Sequence, residues 1–371
     1  MVEFEYSLYY PLTRTLVKNI MSLDYYLKNN SNFIDDDGYT HLINLDVIEA
    51  LDNFPKNSIS LVITSPPYWT AVEYENNKDI EGQSYEEYID WLGKVWAKCF
   101  NVLKDNGKLV INTPILPIPK EIINQTPRHI KNINVDIETW ILQNTDFLRF
   151  SLYIWQKQTS KMMFGSYPYP PNIFENNTIE FMNVFVKPGK SQKIEKKIKE
   201  ENFISQEEWL DLSQQIWFMY PSDVKRNLSH PAPFPMKLPA RFMKMYSFGS
   251  KVYENADIIL DPFNGIGTTT CVAKMLNRRS VGIELSSEYH RIAKDRINKS
   301  LRGFEPNFLV GRPKYLNREE LDILNEEISD SKNKEKVITS KNDVKHKRKT
   351  YGRNIKKDTF KQKSLFDSFE K

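Results

Sequence analysis

A buried-strand pattern that ends in a stiff turn is the feature that most constrains the fold of this chain. Residues 60–64 have the pattern of a buried strand, and the turn after them reads Ser65-Pro66-Pro67-Tyr68. Two consecutive prolines stiffen the backbone and remove two amide donors, which leaves carbonyl oxygens free to accept hydrogen bonds. Open α/β sheets bind ligands at the carboxyl ends of their strands. A hydroxyl, a free carbonyl and an aromatic face on one rigid turn suit a planar group with an amino donor, such as an extruded nucleobase.

Strand and helix patterns alternate over most of the chain, and this alternation predicts a mostly parallel sheet. The first β-α-β unit begins with a short strand that ends near Asp46. Predicted strands lie at 42–45, 60–64, 109–112, 147–155, 179–186, 258–260 and 280–284, and predicted helices at 85–103, 238–248, 268–277 and 288–301.

The predicted strand at 258–260 leads into a glycine turn. The turn contains Gly265 and Gly267, which let the backbone bend tightly and approach a ligand. The helix that follows offers free amides to an anion, and Glu284, at the end of the next strand, can accept hydrogen bonds from ribose hydroxyls. This plan suits an adenosine-containing cofactor.

Two residues favour S-adenosylmethionine over a dinucleotide. Thr270 stands where a nicotinamide fingerprint would have a third small residue. Phe263 supplies an aromatic edge that can pack beside an adenine or a sulfonium. The carboxylate of a methionine moiety would suit the helix terminus as well as a phosphate does.

Several short motifs together resemble those of amino-group DNA methyltransferases. Asp261 to Thr268 resembles their cofactor motif, and Thr64 to Tyr68 resembles their catalytic motif. The catalytic motif comes first, which is the order of the beta class. Weaker similarities occur at Leu45-Asp46-Val47 (a short acidic motif), Val281 to Glu284 (the ribose-binding motif) and His230 to Leu238 (the start of the cofactor half), so that the match runs from about 41 to 305.

The resemblance implies the fold. We expect an α/β protein with the circularly permuted S-adenosylmethionine-dependent methyltransferase fold, which is a mostly parallel Rossmann-like sheet with helices on both faces. A small inserted target-recognition module is expected as well. The implied parts are a catalytic half (1–190), the recognition module (191–229), the S-adenosylmethionine-binding half of the same domain (230–310) and a basic, flexible tail (311–371).

The resemblance also implies the chemistry: transfer of a methyl group to an exocyclic amino nitrogen, without a metal or a covalent intermediate. The side chain of Ser65 and the carbonyl of Pro66 would accept the two amino hydrogens, and Tyr68 would stack on the flipped base. For Asp46, capping of the following helix is an alternative to a cofactor role. The candidate catalytic residues are Ser65, Pro66, Pro67 and Tyr68; the candidate cofactor-binding residues are Asp46, Asp261, Phe263, Asn264, Gly265, Gly267, Thr268, Thr269 and Glu284.

The target base is cytosine N4 or adenine N6, because both bases present the same amino group. In the family pattern, Ser at the position of Ser65 is commonest in N4-cytosine enzymes, whereas Asp is typical of beta-class adenine enzymes. We therefore predict N4-cytosine methylation, with adenine N6 as the alternative. Cytosine C5 methylation is disfavoured because it needs a Cys nucleophile, typically after Pro, and neither Cys99 nor Cys271 follows Pro.

Two further classes of function remain as alternatives. One is a DNA-binding homologue that has lost methyl transfer, which the intact turns at 65–68 and 265–267 disfavour. The other is a methyltransferase that acts on protein glutamine or RNA, which the order of the motifs disfavours.

Charge is unevenly distributed between the body and the tail. The net charge is +4, but residues 331–371 hold about 14 Lys and Arg against 5 Asp and Glu, so the tail is near +9 and the remainder near −5. The tail is therefore either a source of salt-sensitive phosphate attraction or a solvated, disordered end. Within the predicted recognition module, Lys225 and Arg226 are candidates for contacts with DNA phosphates or bases.

The resemblance to DNA methyltransferases also implies the partners. We expect double-stranded DNA as the substrate and a cognate restriction endonuclease as a functional partner. Residues 362–366, Gln-Lys-Ser-Leu-Phe, resemble the short peptide by which many bacterial proteins bind the replication sliding clamp. The alternative is an amphipathic chain end that arises by chance.

Composition sets the remaining limits. The chain is 40% apolar and 27% charged, which is ordinary for a soluble protein. The first residues, Met1 to Tyr6, lack a positive leader, and no run approaches the roughly 18 apolar residues of a membrane span. We therefore expect a cytoplasmic protein without a membrane partner. With two separated cysteines, neither a disulfide framework nor a zinc site is expected.

Overall fold

A nine-stranded sheet is the centre of the fold in the computed structural model of this chain. The structure describes residues 22–69, 84–118, 129–157, 169–170, 177–219 and 234–303. The strands are β1 (Phe33–Ile34), β2 (Thr40–Ile43), β3 (Ile59–Thr64), β4 (Leu103–Pro114), β5 (Leu116–Pro117), β6 (Ile130–Lys131), β7 (Leu148–Lys157), β8 (Ile179–Val186), β9 (Ile216–Met219), β10 (Ile258–Asp261) and β11 (Arg279–Ile283). The helices are α1 (Leu23–Asn30), α2 (Val47–Asp52), α3 (Tyr85–Val102), α4 (Ile133–Asn144), α5 (Lys196–Glu201), α6 (Gln206–Leu212), α7 (Lys237–Tyr246), α8 (Thr268–Met275) and α9 (Ser287–Lys299), with a short 3₁₀ turn at Tyr253–Asn255.

The strand order confirms the predicted mostly parallel sheet. The order is β1-β2-β11-β10-β3-β4-β8-β7-β9, and only β1 and β8 run against the other strands of this sheet. β5 and β6 form a separate antiparallel pair. All six residues of β3 are buried, as expected of a central strand that is covered on both faces.

Helices cover both faces of the sheet, as the resemblance implied. One apolar core lies under α1, α2, α3 and α4, and includes the fully buried Trp96 and Tyr88 of α3. A second core lies under α7 and α8, and it includes Phe242 of α7, Val272 of α8 and Leu61 of β3. A smaller cluster joins α8 and α9 to β2.

Helix α3 begins at a capping box, and its Tyr88 contacts the turn that follows β3. The Ser84 hydroxyl accepts a hydrogen bond from the Glu87 amide at 3.2 Å, and the Glu87 carboxylate accepts one from the Ser84 amide at 2.8 Å. The helix then carries Tyr88 towards the turn that follows β3.

The described part of the predicted recognition module, 191–219, is integrated into the main sheet. β9 pairs in parallel with β7, and the ring of Trp217 packs against Phe242 of α7 at 4.8 Å between centroids. Because Lys157 is paired with Met219, β9 ends at the same edge of the sheet as β7. Lys225 and Arg226 lie outside the described residues.

Two smaller observations complete the fold. Cys99 and Cys271 are buried free thiols. None of the helices in the described part of the chain combines the length and the apolar character needed to cross a bilayer.

Candidate active site

The two sequence motifs meet because they end neighbouring parallel strands. β3 pairs with β10, so the turn after Thr64 and the turn after Asp261 leave the sheet at one edge. The Thr64 hydroxyl donates a hydrogen bond to Asp261 Oδ1 at 2.7 Å. Residues that are 197 positions apart in the chain are thereby joined at the carboxyl edge, where this kind of sheet binds ligands.

The turn at 65–68 is held by hydroxyl groups. Ser65 Oγ lies 2.6 Å from the Tyr68 hydroxyl and 3.3 Å from the backbone carbonyl of Asn112, to which it donates. The carbonyl of Pro67 accepts a hydrogen bond from the Tyr88 hydroxyl at 2.9 Å. The carbonyl of Pro66 accepts none from the described residues. Ser65 and Tyr68 are half-buried, so both remain within reach of a ligand.

Three residues that the sequence analysis did not single out extend this site across the sheet. Asn112 Nδ2 donates to Glu180 Oε2 at 2.6 Å and to the Tyr68 hydroxyl at 3.4 Å. Lys157 Nζ lies 3.0 Å from Glu180 Oε1. The sequence marks two of them only weakly: Asn112 is the first polar residue after an apolar run, and Glu180 is the only charged residue in β8.

The glycine turn has the backbone that the sequence predicted. Gly265 and Gly267 have φ values of 51° and 79°, in the left-handed region that favours glycine. A Cβ added to Gly267 would lie 2.9 Å from the Cβ of Ala293 in α9, so the turn also needs the absence of a side chain. Helix α8 starts directly afterwards, at Thr268, and its first amides have no partners within the helix.

Glu284 closes the other side of the glycine turn. Its Oε2 accepts a hydrogen bond from the Gly265 amide at 2.7 Å, and its Oε1 accepts one from the Ser286 amide at 2.8 Å. Burial raises the pKa of the Glu284 carboxyl to about 7, although hydrogen bonds from the backbone amides of Ser286, Gly265 and Leu285 work in the opposite direction. A carboxylate has about four lone-pair sites, which is more than these amides occupy, so a hydroxyl donor can still bind.

The other cofactor candidates at 261–269 are buried, except for Phe263, which is half-buried. Asp261 is 1% exposed and also accepts a hydrogen bond from the Phe263 amide at 3.1 Å, so its carboxylate braces the strands. Burial raises the pKa of Asp261 to about 6. Phe263 is half-buried beside Trp91. The side chains of Asn264, Thr268 and Thr269 are buried; Asn264 accepts from Thr270, and Thr268 accepts from Arg296.

Asp46 is a helix cap in this structure. Its Oδ1 accepts hydrogen bonds from the amides of Ile48 and Glu49 at 2.8 and 3.2 Å, at the start of α2. It lies close to the cofactor half, because the carbonyl of Ile43 accepts a hydrogen bond from the Glu284 amide. Capping leaves Oδ2 with no hydrogen bond from the described residues, so the two roles do not exclude each other.

The residues around the glycine turn match the chemistry of S-adenosyl-L-methionine. Glu284 offers acceptors for hydroxyl donors, and the first turn of α8 offers amides for a carboxylate. The left-handed φ values of Gly265 and Gly267 let the backbone turn sharply into the start of α8, where these amides lie. The predicted basic segments, 220–229 and 311–371, lie outside the described residues. The second segment includes residues 362–366.

Comparison with known proteins identifies the family. The model of the DNA methylase family with N6 and N4 members matches residues 59–295. The Type II methyltransferase M.MthZI of Methanothermobacter thermautotrophicus is 29% identical over 290 residues, which cover 71% of this chain and 78% of that protein. The Type II methyltransferase M.BglI of Bacillus subtilis is 26% identical, and the match covers 78% of this chain and 91% of the relative.

Solved structures agree with the family match. A Thermus thermophilus protein assigned as a DNA modification methylase, in complex with S-adenosyl-L-methionine, is 30% identical with a TM-score of 0.58. That match covers 72% of this chain and 97% of the other. The cytosine-N4-specific PvuII DNA methyltransferase shares the fold, with a TM-score of 0.53 at 20% identity, over 77% of this chain and 92% of that one. The chain therefore belongs to the family of N6 and N4 DNA methylases, and it is a DNA methyltransferase that uses S-adenosyl-L-methionine.

Proposed function

We propose that this protein methylates the exocyclic N4 amino group of a cytosine that is flipped out of double-stranded DNA at a specific sequence. The observation that carries the proposal is the meeting of the Ser65 turn with the glycine turn, fixed by the Thr64 to Asp261 hydrogen bond. When bound, S-adenosyl-L-methionine supplies an electrophilic methyl group on a sulfonium. The chain itself has to hold and orient the amino group.

Orientation matters because the lone pair of an exocyclic amino nitrogen is delocalised into the ring. Ser65 Oγ and the Pro66 carbonyl each accept one amino hydrogen. These two hydrogen bonds draw the nitrogen towards tetrahedral geometry and direct its lone pair at the methyl group. Pro67 has a supporting role, since its carbonyl is engaged by Tyr88. The ring of Tyr68, fixed through its hydroxyl, stacks on the base. Catalysis is then positioning and local electrostatics.

In the cofactor half, we propose that Glu284 accepts hydrogen bonds from the ribose hydroxyls. Gly265 and Gly267 admit the cofactor close to the backbone, and the amides of Thr268 and Thr269 face its carboxylate. Phe263 packs beside its adenine or sulfonium. Asp46 contributes through Oδ2, the carboxylate oxygen that does not cap α2. Asp261 and Asn264 support the turn with their buried side chains.

The choice of cytosine rests on Ser65, which the family pattern associates with N4 enzymes. Nucleoside mass spectrometry of unmethylated DNA, incubated with the protein and S-adenosyl-L-methionine, tests this choice directly. We expect N4-methylcytosine. N6-methyladenine would overturn the base assignment alone, and the absence of both products would overturn the proposed function.

Target recognition and partners form a separate part of the proposal. We place sequence reading in the 191–229 module, with Lys225 and Arg226 contacting DNA. The relatives are named Type II methyltransferases, which supports pairing with a restriction endonuclease. We also propose that residues 362–366 bind a sliding clamp. A clamp pulldown should capture the wild-type chain and lose the Leu365→Ala/Phe366→Ala variant; equal capture of both would exclude that contact.

A further inference from the structure

We infer that Asn112, Glu180 and Lys157 are positioning residues for methyl transfer, which act on Ser65 through the hydroxyl of Tyr68. The inference rests on the proposed function, because it assigns these residues a role in the same site. None of the three has to touch the target base.

The sheet itself brings these residues together. On one face of the sheet, Val110 of β4 and Met182 of β8 belong to the apolar core. Side chains on one face of a strand recur at every second residue. Two positions closer to the carboxyl edge, the same rows of the two strands present Asn112 and Glu180. Trp155 of β7 is followed in the same way by a polar residue, Lys157.

The contacts form one chain of polar groups behind the candidate catalytic turn. The Lys157 ammonium lies 3.0 Å from Glu180 Oε1, and Glu180 Oε2 accepts from Asn112 Nδ2 at 2.6 Å. The other hydrogen of Nδ2 goes to the Tyr68 hydroxyl at 3.4 Å. Asn112 is 2% exposed and Glu180 9% exposed, so water cannot easily replace these bonds.

The orientation of the Asn112 amide shows which partner controls it. A carboxylate only accepts hydrogen bonds, so the amide must turn its NH₂ group towards Glu180. Asn112 Oδ1 is then buried without a hydrogen-bond partner among the described residues. Burying an unsatisfied carbonyl is unfavourable, but a flipped amide would set this oxygen against the Glu180 carboxylate. Glu180 therefore dictates the orientation.

A fixed amide also fixes the direction of the hydroxyl groups. Because Nδ2 donates to the Tyr68 hydroxyl, that hydroxyl can direct its own hydrogen to Ser65 Oγ, 2.6 Å away. The Ser65 hydrogen then goes to the backbone carbonyl of Asn112. In this arrangement one lone pair of Ser65 Oγ is left without a donor among the described residues. That lone pair is the one proposed to accept an amino hydrogen of the base.

A double-mutant cycle tests the inference, because coupled residues give non-additive effects. We expect Asn112→Leu and Tyr68→Phe each to slow single-turnover methyl transfer about 10- to 100-fold, with the cofactor dissociation constant unchanged. If Asn112 acts through the Tyr68 hydroxyl, the double variant should be no slower than the slower single variant. A purely structural role would instead multiply the two losses, and that result would overturn the inference.

Two further variants keep the test decisive. Glu180→Gln preserves side-chain volume but lets the Asn112 amide turn, so it should slow transfer about tenfold and show the same coupling to Tyr68→Phe. It replaces Asn112→Leu if that variant does not fold. The matched control is Asn183→Leu: Asn183 is a buried β8 residue that donates to the Asn134 carbonyl at 3.5 Å, outside the network. This variant should keep the wild-type rate within about twofold.

The outcomes separate the inference from the proposed function. If the wild-type protein transfers no methyl group to DNA, the proposed function fails. If the wild-type protein is active and Asn112→Leu and Glu180→Gln keep its rate, only the positioning role is overturned.

Discussion

The two halves of the site are held in place by different kinds of interaction. In the catalytic half, side chains bond to side chains: Ser65 is linked through the Tyr68 hydroxyl to Asn112, and Asn112 to Glu180. In the cofactor half, the backbone has the larger part. Gly267 adopts a left-handed conformation, and the Glu284 carboxylate binds two backbone amides.

This difference separates what each half controls. The catalytic network sets the direction of hydrogen bonds, so a change there should alter the rate of transfer and spare cofactor affinity. The cofactor half sets the course of the backbone, so a change there should alter affinity and stability together. Substitutions in the two halves should therefore have different effects on rate, affinity and stability.

Ser65→Ala should have the largest effect. The substitution removes one of the two proposed acceptors of the amino hydrogens, and loss of one such group typically lowers turnover about 100- to 1,000-fold. Single-turnover methyl transfer measures the rate, and isothermal titration measures cofactor affinity, which should stay within about twofold. Wild-type turnover in this variant would show that the proposed catalytic turn is wrong, and lost cofactor affinity would show that the two halves are not separable.

Gly267→Ala should destabilise the fold and weaken cofactor binding. A side chain at φ 79° is strained, and the new Cβ would meet Ala293 at 2.9 Å, so we expect a loss of about 2–3 kcal/mol in the free energy of unfolding. Gly38→Ala is the matched control, since φ is 72° there and nothing lies within 4 Å of an added Cβ. It should lose about 1 kcal/mol and keep cofactor affinity. Equal losses in urea denaturation would contradict the close approach at Gly267.

The same division explains how much of the fold the sequence could predict. The cofactor half lies within one β-α-β unit: the glycine turn and Glu284 are separated by less than 20 residues, and strand and helix periodicity marks each element. The central strands β3 and β10 were predicted almost to the residue, because they are short apolar runs bounded by polar turns. Helix α4 and strand β9 were not predicted. Apolar and polar residues are mixed along α4, and the four apolar residues of β9 fit a helix as well as a strand, so only tertiary packing fixes their state.

The catalytic network could not be predicted from local patterns. Ser65 was found because two prolines mark its turn, but Asn112, Glu180 and Lys157 carry no motif of their own. Their meeting depends on the order of β3, β4, β8 and β7 in the sheet, with β8 antiparallel to its neighbours. The periodicity of the sequence predicts where the strands lie, but only the assembled sheet shows which strands are neighbours.

Glu284→Gln should remove a pH dependence of cofactor binding. The pKa of Glu284 is raised to about 7, and hydroxyl donors favour its ionised form, so wild-type affinity should fall about tenfold from pH 8 to pH 6. Titration calorimetry across this range should show a flat profile, and weaker binding above pH 7, for Glu284→Gln. Glu288→Gln, at an exposed carboxylate on α9, is the control and should keep the wild-type profile.

As the pH rises, the stability of the cofactor-free protein should decrease, whereas cofactor affinity should increase. Because the folded-state pKa of Glu284 lies above its ordinary value of 4.5, the folded state binds the proton more tightly. The free energy of unfolding should therefore decrease as the pH rises from about 4.5 to about 7. Asp261, with its pKa raised to about 6, contributes in the same direction, and Glu284→Gln should leave that part in place. A rise in stability over this range would contradict the burial of both carboxyls.

Thr64→Val should have the smallest effect, and it tests the link between the two halves. Two similar hydrogen bonds join β3 to the ends of β10: Thr64 to Asp261 at the site edge, and Ser60 to Asp257 at the opposite edge, at 2.6 Å. Thr64→Val and Ser60→Ala should each lose about 1–2 kcal/mol of stability in thermal denaturation. Only Thr64→Val should slow transfer, by about three- to tenfold, because it alone loosens the turn beside Ser65. If both variants slowed transfer equally, the rate would depend on sheet stability in general, and the Thr64 to Asp261 bond would have no special part in aligning the two halves.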